Sequence, residues 1–212
     1  MAIRMKTWLV LIGLMVGCSA VAFASNITII PITNNSFENP TLAPGSWITG
    51  IAGWDLNGVG GVYAPTSNIA PTDGTNVMWL NSGYVSQTLS TTLAAYSGYT
   101  LTVDVGQRPD FQPINYRIEL LAGGTVLASD NGSLHPAAGQ FLTSTLTYTS
   151  LTGDLIGQNL EIRLLNTGTQ QIVFDNITLT DPPVGNVPEP ASLVLLGSGL
   201  LACYRRVCSR RK

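Results

Sequence analysis

Alternation of apolar and polar side chains, rather than a helical stripe, runs through the middle of the chain. Tyr99, Leu101, Val103 and Val105 alternate with Thr100, Thr102 and Asp104, and Ile114, Tyr116, Ile118 and Leu120 alternate with Asn115, Arg117 and Glu119. Leu160, Ile162 and Leu164 repeat the rhythm against Glu161 and Arg163. A period of two puts every second side chain on one face, so each run predicts a half-buried strand. Further runs at Ile27–Ile32, Val77–Leu80, Tyr84–Leu89, Thr125–Ala128, Phe141–Tyr148 and Ile172–Leu179 bring the expectation to eight or more short strands. Turn-forming pairs separate them at Asn57-Gly58, Asp73-Gly74, Gly123-Gly124 and Asn131-Gly132. The pattern predicts an all-β antiparallel sandwich, a jelly roll, with no internal repeat of the solenoid or propeller kind.

Both ends depart from that rhythm. Arg4 and Lys6, the apolar run Trp8–Val16 and then Ala22-Phe23-Ala24 follow the order of a secretory signal peptide, with cleavage after Ala24. A second reading takes Met15-Val16-Gly17-Cys18 as a lipobox, which would leave a lipidated Cys18. At the other end stand Val187-Pro188-Glu189-Pro190, an apolar stretch Ala191–Tyr204, and a basic tail that includes Arg205 and Arg206. The prolines keep regular structure out of the helix entry, and the arginines hold its far end on the cytoplasmic side. At about 1.5 Å per residue this helix reaches roughly 21 Å, short of the roughly 30 Å of a bilayer core, which suits a processing signal better than a permanent span. The expected organisation is a signal helix over 1–24, a β-sandwich over 25–181, a linker over 182–190, a short transmembrane helix over 191–204 and a basic cytoplasmic tail over 205–212.

Charge changes the picture once the ends are set aside. Between them stand only Arg108, Arg117 and Arg163, no lysine, and eleven carboxylates, a formal charge of 3 − 11 = −8. Such a surface argues against nucleic acid and anionic membranes as partners of the domain, and is compatible with neutral glycans or divalent cations. Cys18, Cys203 and Cys208 all lie in the ends, so the domain has no disulfide, thiol catalysis or thiolate metal site, and His135 as the sole histidine makes zinc a poor fit.

The Pro188-Glu189-Pro190 triplet, the Leu193–Leu201 segment and the arginine cluster together resemble the PEP-CTERM sorting signal of Gram-negative bacteria. That resemblance implies an exosortase-type protease as processing partner, the inner membrane as a station before processing, and the cell surface or extracellular matrix as destination. An ordinary single-span tail anchor is the alternative. Within the domain, Asn35-Ser36-Phe37-Glu38, Ile51-Ala52-Gly53-Trp54, Pro71-x-Asp73-Gly74, Ser86-Gln87-Thr88-Leu89 and Phe174-Asp175-Asn176-Ile177 resemble galactose-binding-like jelly rolls, a superfamily rich in carbohydrate-binding modules.

Asp175 shares the parity of Val173, Ile177 and Leu179, which would bury it. A buried carboxylate needs a partner, so either a bulge at Asp175-Asn176 turns it outward or a cation meets it. The second resemblance implies a structural Ca²⁺ with Glu38, Asp73 and Asp175 as ligands; turn hydrogen bonds are the alternative role for Glu38 and Asp73. For ligand contact, the loop Gly106–Pro113 gathers Arg108, Asp110 and Phe111 with two amides, although Arg108 and Asp110 also suit a plain surface pair. Trp47, Trp54, Tyr63, Trp79 and Tyr84 supply aromatics, most of them expected in the core. No nucleophile motif surrounds His135, and carboxylate pairs occur in any acidic domain. The sequence therefore predicts a non-enzymatic exported module that binds extracellular polysaccharide, with a structural or adhesive matrix protein and a glycan-active hydrolase as rivals.

Overall fold

Among the described residues ten strands form, where the alternation predicts them and in two places where it does not. The computed structural model describes residues 27–153 and 155–181; the expected signal helix, linker, transmembrane helix and basic tail, with Cys18, Pro188, Glu189, Pro190, Arg205 and Arg206, lie outside the described residues. The strands are β1 (Thr28–Ile30), β2 (Trp47–Thr49), β3 (Asp55–Tyr63), β4 (Val77–Thr92), β5 (Gly98–Gln107), β6 (Tyr116–Ala122), β7 (Thr125–Asp130), β8 (Gln140–Thr149), β9 (Asn159–Asn166) and β10 (Ile172–Asp181). The hydrogen-bonded order is β7-β6-β9-β4-β10-β5-β8, with β3 beside β4, β2 beside β3 and β1 beside β10. All pairings are antiparallel.

The jelly-roll sandwich follows from how β4 and β10 divide their edges. The start of β4 pairs with β10 over Met78–Leu80, and the rest pairs with β9 from Gly83 onward. One layer is therefore β2-β3-β4-β9-β6-β7 and the other β1-β10-β5-β8, joined at the β4–β10 seam. Apolar residues of the period-two runs face each other across the layers: Tyr99, Leu101, Val103 and Val105 from β5 meet a core that includes Ile118, Leu120, Leu160, Ile162 and Leu164. Two expectations need correction. Val77–Leu80 and Tyr84–Leu89 belong to one long strand, and Asn57-Gly58 is no turn but the middle of β3. Gly58 and Gly83 stand opposite each other there, so that the backbones of β3 and β4 come closer than any side chain permits.

The seam has a break, and Asp175 fills it. On one edge of β10, Ile172–Phe174 pair with β4 and Leu179–Asp181 pair with β1, while the other edge bulges against β5 between Asp175 and Thr178. Asn176 takes a left-handed φ of 46°, which asparagine tolerates better than most residues. The bulge forms as expected, yet it does not turn Asp175 outward: the residue is fully buried. Its Oδ2 accepts the N–H of Thr72 at 2.7 Å, the N–H of Asp73 at 3.1 Å and the Thr72 hydroxyl at 3.0 Å, and its Oδ1 accepts the Asn176 N–H at 2.8 Å. Burial pushes this carboxyl from 3.8 up to about 6, with the Asp73, Thr72 and Asn176 N–H groups pulling it back. Asp104 stands opposite it on β5.

Asp175→Ala removes the acceptor of three partly buried backbone N–H groups and is expected to lower unfolding free energy by about 3 kcal/mol, read by urea denaturation of the full chain in detergent. Because the folded value lies above the unfolded one, the contribution of Asp175 is full below pH about 4 and is lost as pH rises through about 6. Asp175→Asn should flatten that part of the stability profile, seen as a smaller change in unfolding midpoint between those two pH values than in the parent.

Candidate functional site

The β2–β3 hairpin sets Trp47 across from Tyr63, and the next pairing sets Gly61 across from Trp79. Gly61 is required at that point, since a Cβ there would collide with the carbonyl oxygen of Ile48 and push β2 away. Without one, the Trp47 and Trp79 rings meet edge to face with centroids 6.1 Å apart. Trp79, with Ile69, Val77 and Val173, forms a small apolar cluster of its own, flanked by Tyr63 and Phe141. Trp79 is 7% exposed and Trp47 63%, so one indole is fixed in the protein while the other stands free.

Arg108 follows the end of β5. Its guanidinium carbon lies 5.0 Å from the centroid of the Tyr63 ring and 4.9 Å from that of Phe111, a stacking arrangement favoured by the negative ring faces. Nη1 donates to Gln171 Oε1 at 2.6 Å, and Gln171 Nε2 donates onward to Asn81 Oδ1 at 2.9 Å. Nη2 meets Asp110 Oδ2 at 3.3 Å. Trp47, Tyr63, Trp79, Asn81, Arg108 and Gln171 line an open cavity of about 320 Å³. The three expected contact residues thus gather at one place: Arg108 lines the cavity, Phe111 stacks on it and Asp110 pairs with it. Asn81 and Gln171 carry no sequence signal beyond their positions just after an apolar run and just before β10.

The other aromatics serve the structure. Trp54 is buried, donating its indole N–H to Thr33 O at 3.1 Å, and Tyr84 lies under Arg163 with 5.2 Å from guanidinium to ring centroid. Arg163 and Arg117 are both taken up by Glu119, and Arg163 also by Glu161. A second polar cluster joins β6, β7 and β8. Asp130 Oδ2 accepts from the Tyr116 hydroxyl at 2.8 Å and the Ser144 hydroxyl at 2.6 Å, while Oδ1 accepts the Ser133 N–H. Burial and Asp130 push the Tyr116 hydroxyl up to about 12, which keeps it protonated and places it among structural groups. His135 is exposed on the loop after β7.

Glu38 and Asp175, two of the expected Ca²⁺ ligands, both reach the loop before β4, where Asp73, the third, contributes its backbone N–H. Glu38 Oε1 accepts the N–H groups of Thr75 at 2.9 Å and Asn76 at 2.7 Å, and Oε2 accepts the Thr75 hydroxyl at 3.0 Å. Asp175 is engaged in the same way on both oxygens. Amide hydrogens therefore face the carboxylates where a cation would need oxygen neighbours. Among the described residues no three of His, Cys, Asp and Glu group as a metal cage. Glu38 and Asp175 instead cap the loop 72–76 and fasten it to the two ends of the domain. The edge-to-face indole pair at the cavity gives a sharper observable. Trp47→Phe should abolish the exciton couplet of paired indoles in circular dichroism while leaving the melting midpoint unchanged; Gly61→Ala should abolish the couplet and lower the midpoint.

Comparison with known proteins now bears on this geometry. The family model for HpiC1 cyclase matches residues 28–180, and a PEP-CTERM protein-sorting motif matches residues 186–212. No curated protein matches the chain. Among solved structures, the Stig cyclase Fisc from Fischerella sp. TAU, in complex with (3Z)-3-(1-methyl-2-pyrrolidinylidene)-3H-indole, is 30% identical, covers 76% of this chain and 100% of its own, and superposes with a TM-score of 0.69. An apo cyclase from Fischerella sp. is 32% identical over 77% of this chain and 100% of its own, with a TM-score of 0.69. A Fischerella sp. TAU cyclase holding 4-(1H-indol-3-yl)butan-2-one is 31% identical over 75% of this chain and 100% of its own, with a TM-score of 0.67. The chain belongs to the HpiC1-like cyclase family, and beyond that domain it carries the PEP-CTERM motif of an exported protein sorted through the membrane.

Proposed function

We propose that this domain is the binding module of an exosortase-sorted surface or matrix protein, and that its aromatic cavity takes a sugar ring of extracellular polysaccharide. One observation carries the reading: a free indole, a guanidinium held flat by two rings, and two amides converge on one open cavity. The C–H face of a pyranose stacks on an aromatic ring, and its hydroxyls bond to planar polar groups beside that ring. The cavity of about 320 Å³ lies at the small end of ligand sites, suited to one ring. Calcium is not needed for this reading, because Glu38 and Asp175 already have their donors.

Family membership supports a second reading. Fischerella cyclases of similar sequence hold indole compounds, and the Trp47–Tyr63–Trp79 walls also suit a flat aromatic substrate that the domain would cyclise. The two readings separate in one titration. Calorimetry of the full chain in detergent with soluble exopolysaccharide fragments should show saturable binding that Trp47→Ala weakens roughly tenfold without shifting the melting midpoint. Tighter binding of 4-(1H-indol-3-yl)butan-2-one than of any glycan, with product formed from indole substrates, would favour the cyclase reading.

A further inference from the structure

The charge and hydrogen-bond directions at the cavity say more about its ligand than its shape does. Arg108 is the one charged residue in the lining. The other two arginines of the described domain are taken up by Glu119 and Glu161, whereas the carboxylate facing Arg108 is held poorly. Asp110 makes a single contact with it at 3.3 Å; the Asp110 side chain is 60% exposed and that of Arg108 16%. A single long contact from an exposed carboxylate contributes little and exchanges readily with a competing anion.

The amides around Arg108 are turned by it. A guanidinium has only donors, so Gln171 must present its oxygen to Nη1, which leaves Gln171 Nε2 to donate. That donation falls on Asn81 Oδ1, and the donor end of Asn81 is left over. Trp79 Nε1, in the same wall, is buried and has no acceptor. Arg108 and Asn81 thus supply hydrogen-bond donors, while each of the two amide oxygens nearby already accepts one bond. A neutral sugar hydroxyl both donates and accepts, and its proton is left with the Tyr63 hydroxyl oxygen, which itself donates to Asn68, and the second lone pairs of the two amides. A carboxylate only accepts.

We infer that the ring bound in this cavity carries a carboxylate, as a uronate residue of an acidic polysaccharide does, and that Asp110 occupies its place on Arg108 until the ligand displaces it. The inference rests on the reading of the cavity as a ligand site and names the class of ligand. The domain's net negative charge acts on such a ligand weakly at working ionic strength, because charges beyond about 8 Å are largely screened and the one charge in the lining is Arg108.

Calorimetry of the full chain in detergent tests this with oligogalacturonate, its methyl ester, a neutral galacto-oligosaccharide and indole-3-carboxylate as probes, on the parent, Asp110→Asn and Trp47→Ala. The acid should bind at least tenfold more tightly than its ester. Asp110→Asn should tighten the acid about fivefold and leave the ester unchanged, and Trp47→Ala should weaken it. Indole-3-carboxylate binding most tightly, with the same response to Asp110→Asn, upholds the carboxylate and assigns it to a small aromatic acid rather than a polysaccharide. Equal binding of acid, ester and neutral oligomer, all weakened by Trp47→Ala, overturns the inference while the cavity stands as a ring site. Binding of the acid that ignores both substitutions overturns it too, by placing the acid elsewhere. No binding of any probe removes the inference together with the reading beneath it.

Discussion

The fold turns on a carboxylate with nowhere to go. Where β10 leaves β4 and has not yet met β1, the partly buried N–H groups of Thr72 and Asp73 in the loop before β4, and of Asn176 in β10 itself, all find their acceptor in Asp175. Its own charge is costly in that position, as its raised titration shows, and the donors offset the cost. Glu38 does for Thr75 and Asn76 what Asp175 does for Thr72 and Asp73. Two acidic side chains, from the first and last segments of the domain, thereby hold one loop. That closure fixes where β4 begins, and β4 carries Trp79 and leads to Asn81.

The cavity depends on positions with no side chain as much as on those with one. Gly61 lets β2 lie close enough for Trp47 to meet Trp79, and Gly106 leaves room for Phe141 and Val173, since a Cβ there would sit 2.7 Å from Val173 Cγ2. Around that frame Arg108 sets the polarity of its neighbours, because its lack of any acceptor dictates which way Gln171 and then Asn81 must point. Packing positions the rings, and a single cation orients the amides.

Strands with clean alternation were legible in the sequence, since period two records which face is buried; β5, β6 and β9 are of this kind. β2 and β3 were not. Asp55–Tyr63 reads Asp-Leu-Asn-Gly-Val-Gly-Gly-Val-Tyr, in which glycines needed for close backbone approach resemble turn residues and erase the rhythm. Because β2 and β3 were hidden, the register that joins Trp47, Tyr63 and Trp79 was hidden with them. That Arg108, Asp110 and Phe111 sit together could be read because they are neighbours in one loop. The parity of Asp175 revealed its burial, but parity does not reveal a partner, and the partners are backbone amides more than 100 residues away. Asn81 and Gln171 acquire their role only from Arg108.

Family membership and sorting motif join a cyclase-type domain to export. Ligand should enter the cavity that Trp47 and Trp79 line together, and not elsewhere on the sandwich. Nitrogen-15 spectra of the chain report this directly through the indole N–H signals, with Trp54, bonded to Thr33 inside the core, as an internal reference. On titration with uronate oligomer, the account predicts that the Trp47 and Trp79 signals shift together along one saturable curve while Trp54 holds still. Shifts confined to other residues, with both cavity indoles unmoved at saturation, would contradict it.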